Sequence, residues 1–157
     1  EVTADLDGLE LPLEILEKPE RLTETEWHTM RSHVYYTFQA LTSAPAFNAL
    51  VSWSALHQER LDGSGYPFGY TGKDLSPGAR VLAVADVFTG ITEDRPYRDG
   101  MNEAEARGVL ERMAAENELD SDVVEVLLAD YATFDRARAD AQAKAREEFE
   151  AFRQAQG

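Results

Sequence analysis

Residues 80–91 read Arg-Val-Leu-Ala-Val-Ala-Asp-Val-Phe-Thr-Gly-Ile, a run that at helical spacing is apolar nearly all round. A helix with no polar face belongs inside a protein. The run therefore predicts a buried central helix around which the other elements pack. Asp86 is its only carboxylate. Burying that group unpaired costs several kcal/mol, so Asp86 must meet a cation, a metal or hydrogen-bond donors.

The neighbouring segments also read as helices. Thr23 with Glu26 forms a capping box, and Trp27, Met30, Val34, Phe38 and Leu41 then follow helical spacing, with His33 on the same face. Pro45 interrupts the pattern, and Phe47, Leu50, Val51, Ser54 and Leu61 outline a further helix, with His57 on its inward side. Asn102 with Glu105 caps a helix through Leu110 and Met113, and Asp120 starts another through Val124 and Leu127. From about Phe134 to Gln156 runs a strong helix former with Ala141, Ala145, Phe149 and Phe152 on one stripe. Leu11 to Leu16 fits a turn followed by a helix, because a proline precedes the apolar run. No useful β-alternation appears, and the expected fold is all-α, a bundle of about six or seven helices with a long C-terminal one.

The 157 residues suit one domain, and 43% hydrophobic content argues against disorder. There is no cysteine, so any metal would need nitrogen and oxygen ligands. A formal charge of −15 repels nucleic acid, so a DNA partner is not expected. It equally repels a dianionic dinucleotide unless local cations oppose the field. No apolar run is long enough for a membrane span, and the expected setting is the cytoplasm. The chain begins with Glu1, which fits a piece of a longer protein.

Between the second and third helical patterns lies His57-Gln58-Glu59-Arg60-Leu61-Asp62-Gly63-Ser64-Gly65-Tyr66-Pro67, a polar cluster running into a glycine-punctuated loop. Gly63 and Gly65 admit conformations closed to other residues, Tyr66 brings a ring with a hydroxyl, and Pro67 stiffens the exit. A helix C-cap with a turn would look the same.

The longer stretch HQERLDGSGYPFGYTGKDLSPGARVLAVADVFTGITEDRPYR resembles the signature region of the HD-GYP family of metal-dependent phosphohydrolases, whose pattern is roughly HHExxDGxGYPxGLxGxxI, a helix containing VAD, then TSxRPYR. LPLEILEKPERLTETEWHTMRSH is similar to that family's upstream run, and the resemblance covers about 130 residues, to about Tyr131. It implies an HD-like domain over 1–133, lacking the upstream helices, with a helical extension over 134–157. It implies hydrolysis of cyclic di-GMP at a metal centre, in bacteria.

By the same resemblance Asp5, His33, His57 and Asp86 fall on metal-ligand positions, with Asp5 as the bridging, now vestigial, catalytic carboxylate. Gly63, Gly65, Tyr66, Pro67, Arg95 and Arg98 fall on ligand-binding positions. Read without it, Arg95 could equally pair with Asp94, Glu93 or Asp99. Three positions depart: Ala4 stands where the family has histidine, Gly8 where it has lysine, and Gln58 where it has the second histidine of HHE. The remaining donors suit one transition ion, iron, manganese or zinc, or none. The expectation is a degenerate domain that binds cyclic di-GMP or a related dinucleotide, or a protein partner or second copy through the GYP loop or the C-terminal helix. The alternative is an active phosphodiesterase with further ligands supplied upstream.

Overall fold

The computed structural model describes residues 15, 18, 20–42, 53, 55–94 and 98–155, and at 37, 40, 149 and 155 the backbone alone. Among them are five α-helices: α1 (Glu24–Thr42), α2 (Pro77–Thr92), α3 (Glu103–Ala115), α4 (Ser121–Ala129) and α5 (Tyr131–Ala155). A short 3-10 turn, Gly72–Asp74, precedes α2. The expected all-α bundle with a long last helix is what forms.

Local chemistry starts these helices where the spacing placed them. Thr23 donates from N and Oγ1 to Glu26 Oε2 at 2.7 and 2.9 Å, and Lys18 reaches the same carboxylate. Lys18 first, then Thr23, holds the Glu26 carboxyl down at about 2. Asn102 and Glu105 cap α3 reciprocally, and Asp120 accepts from the N–H groups of Asp122 and Val123 to open α4. Replacing Asn102 by alanine strands one helix-end donor and should cost about 1 kcal/mol, read as a lowered urea midpoint at unchanged m.

The core joins α2, α3 and α4 to the start of α5. Val84, Phe88, Leu110, Met113, Leu119, Val124 and Leu127 are buried together, and Phe88 meets Tyr131 edge to face at 5.4 Å. Each fully buried leucine contributes about 2 kcal/mol. A second cluster, Leu56, Leu75 and Ala79 with Leu61, seats the glycine loop against the N-terminal end of α2.

Three expectations need correction. The 80–91 helix is not buried all round: Val81 and Leu82 are 52% and 38% exposed, and Ala85 and Asp86 are exposed too. Val81 and Ala85, with Val126 and Phe134, border an open apolar groove between α2, α4 and α5. Periodicity reports that a face is apolar, not that something covers it. Second, the helix expected to run through Leu61 does not: Ala55 to Leu61 is a series of turns, in which the Leu61 N–H donates to Glu118 O at 3.0 Å. Third, the last helix starts at Tyr131, three residues before Phe134. Along it Ala141, Ala145 and Phe152 are exposed, so this part of the stripe does not pack on its own domain. Of Leu11 to Leu16, only Ile15 lies within the described residues, and it is helical. No helix among the described residues is long and apolar enough to cross a membrane.

Candidate functional site

Three elements converge beside the glycine loop. α1 carries His33, the 55–62 turns carry His57, Gln58 and Glu59, and α2 carries Asp86. The His33 and His57 rings lie 6.5 Å apart, tilted by 50°. His33 Nδ1 forms a short hydrogen bond with the carbonyl of Met30. A carbonyl can only accept, so Nδ1 is the donor in this bond, and a metal could meet this ring only through Nε2.

Asp86 is satisfied differently from what a buried position would demand. It is exposed, and Gln58 Nε2 donates to its Oδ2 at 2.7 Å. The other end of that amide is also engaged, since the Tyr66 hydroxyl donates to Gln58 Oε1 at 3.0 Å. Gln58 therefore bridges the central helix to the loop. Burial, then the charge of Asp86, pushes the Tyr66 hydroxyl above its usual pKa, so it stays a donor at neutral pH.

Glu59 has no counterpart among the expected site residues. It is fully buried, and its two carboxylate oxygens accept the N–H groups of Phe68 and Tyr70 at 2.7 and 3.0 Å. The loop is thus wrapped around one carboxylate. Asp62 adds an Asx turn by accepting from Ser64 N and Oγ, and these bonds, the backbone one first, lower its carboxyl pKa. At the exit Arg80 donates to the carbonyls of Leu75 and Gly72 and pairs with Asp120 at 3.1 Å, tying the loop to the α4 cap.

Of the expected ligand-binding residues, Gly63 sits at φ +86°, Tyr66–Pro67 is a cis peptide, and Gly65 packs on the backbone of Glu59. Arg98 is exposed and donates to the Gly90 carbonyl at the end of α2 at 2.6 Å. Asp5 and Arg95 lie outside the described residues.

Two imidazoles and a carboxylate are the donor types that iron, manganese or zinc accept. Their arrangement does not make a cage: among the described residues no three histidine, cysteine, aspartate or glutamate side chains converge to hold an ion. The Gln58 amide presents an N–H, not a lone pair, to Asp86. What the site does offer is an ordered polar loop with exposed rings, Phe68 stacked on Tyr70 at 5.2 Å and Phe38 edge-on to Phe68 at 5.3 Å.

Comparison with known proteins matches residues 2–123 to the family described as the HD domain. The chain is 36% identical over 124 residues to a protein named 3'3'-cGAMP-specific phosphodiesterase 1 of Vibrio cholerae, an alignment covering 79% of this chain and 29% of that protein. It is 42% identical over 114 residues to a cyclic di-GMP phosphodiesterase of Pseudomonas aeruginosa, covering 72% and 27%. To a cyclic di-GMP phosphodiesterase of Thermotoga maritima it is 33% identical over 97 residues, covering 60% and 26%. The chain spans about a quarter of the length of these relatives.

Proposed function

The chain belongs to the HD domain family, as an HD-GYP domain, and on that premise we propose that it serves bacterial cyclic dinucleotide signalling by binding more than by catalysis. The ligand is cyclic di-GMP or the related 3'3'-cGAMP, the compounds named for its relatives. Its setting in this reading is the bacterial cytoplasm. The GYP loop, Gly63 to Pro67, forms the ligand face, together with Arg95 and Arg98.

One observation carries the reading: the amide of Gln58 spans Asp86 and Tyr66, using both its donor and its acceptor. A two-metal hydrolase needs enough lone-pair donors to clamp a pair of ions around the phosphate under attack. Here an amide stands at one of those positions, Ala4 offers no donor, and Gly8 offers no cation. Membership of a metal-dependent phosphohydrolase family supports a metal in general terms. The donors Asp5, His33, His57 and Asp86 would serve at most one ion, of iron, manganese or zinc.

Metal analysis, calorimetric titration and a hydrolysis assay on the same preparation test this. The expected result is heat on adding cyclic di-GMP, no more than one transition ion per chain, and no measurable turnover. Two ions per chain with conversion of cyclic di-GMP to the linear dinucleotide or GMP would instead establish a working phosphodiesterase.

A further inference from the structure

Arg31 is placed unlike the arginines that stabilise the fold. Arg80, Arg107, Arg112 and Arg138 each hold a carboxylate within ion-pair distance. Among the described residues, none lies within that distance of Arg31. Its guanidinium instead rests 5.6 Å from the ring centre of Trp27, one turn earlier on α1, and 5.5 Å from that of Tyr66 in the glycine loop. Arg107 also lies over a ring, that of Tyr131, but is tied down by Glu103 and the Leu128 carbonyl. Arg31 has the aromatic contacts without the carboxylate.

That difference matters in a chain of net charge −15. An anion approaching the loop meets a repulsive field unless a cation that is not already neutralised stands close by. Arg31 is exposed, so a ligand can reach it. Among the described residues no hydrogen bond takes up its N–H groups, and their planar fork matches two oxygens of a phosphate. Burial and Asp86 raise the Tyr66 pKa while Arg60 and Arg31 oppose them, which puts two cations around this ring. Arg60 already donates to the Glu59 carbonyl. On the same loop Phe68 and Tyr70 are stacked on each other and 37% and 41% exposed, flat surfaces on which a base can lie. A cation edge and outward-facing rings on one loop suit a ligand that alternates phosphate with planar bases.

We infer that Arg31, braced by Trp27 and Tyr66, binds a phosphodiester group of a cyclic dinucleotide at the loop; this rests on the nucleotide-binding reading above. Arg31 is a binding residue here, with no part in bond cleavage.

Calorimetric titration of the full chain with cyclic di-GMP and with 3'3'-cGAMP, at low and high salt, tests the inference against Arg31→Ala, Arg31→Lys and a surface control, Arg21→Ala. Loss of a charge-assisted hydrogen bond should weaken binding by about ten- to a hundred-fold in Arg31→Ala. The salt dependence should flatten in step. Arg31→Lys should recover part of the affinity, because it keeps the charge and loses the fork. Helical content by circular dichroism should not change. Native affinity in Arg31→Ala would overturn the inference, as would an equal loss in Arg21→Ala, which would mark a general charge effect. If the native chain takes up neither dinucleotide, the binding reading itself fails, and this inference fails with it.

Discussion

Glu59→Ala should be the most damaging single side-chain truncation in the loop, lowering stability by about 2–4 kcal/mol. The fully buried carboxylate takes the N–H groups of Phe68 and Tyr70, nine and eleven residues along the chain. Alanine removes both acceptors at once and leaves a void in their place. Each stranded donor costs about 1–3 kcal/mol, moderated here because Phe68 and Tyr70 lie near water. For a chain of this length the loss corresponds to a drop in melting temperature of about 4–16 °C. Glu59→Gln keeps one acceptor oxygen but turns an amide N–H toward a backbone N–H, so it should fall between native and alanine. Amide hydrogen exchange separates this mechanism from simple cavity formation. Protection at Phe68 and Tyr70 should vanish in Glu59→Ala while that of the core helices falls only with global stability. If those two amides kept native protection, the carboxylate would not be what organises the loop.

Glu59 also shows where sequence reasoning stopped. The helix starts at Thr23, Asn102 and Asp120 were legible because each cap bonds within three residues of itself. The all-α architecture followed from repeated apolar spacing, and the glycine loop from its composition. Partners distant along the chain leave no such trace: Gln58 meets Asp86 across 28 positions. A carboxylate four residues ahead of Gly63 was the available signal for Glu59, because the backbone donors of a glycine-rich loop need an acceptor. Arg31 carried a signal too, lying one helical turn after Trp27. The open face of α2 had none, since exposure of Val81 and Leu82 depends on what other elements leave uncovered. The same limit applied to Asp86, whose solvent contact removes the need for a buried counter-charge.

Gly65→Ala should abolish an ordered loop for a different reason, the lack of any room for a methyl group. A Cβ at this position would lie 2.3 Å from Glu59 Cα and 2.3 Å from Arg60 N, both backbone atoms that cannot rotate aside. Relief requires the 63–67 segment to move away from Glu59, which strains the bonds to Phe68 and Tyr70 and the Tyr66–Gln58 link. We expect a stability loss of about 2–4 kcal/mol and at least about a ten-fold loss of dinucleotide affinity. Gly108→Ala in α3 supplies the matched control, because nothing lies within 4 Å of its added methyl group. Alanine in a helix interior is favoured over glycine by about 1 kcal/mol, so that variant should gain stability and bind as the native chain does. The pair of substitutions adds the same atoms to one chain and asks only where they are placed. If calorimetry returned native affinity for Gly65→Ala, the loop would tolerate displacement from Glu59, and a ligand surface held rigid by that carboxylate would be untenable.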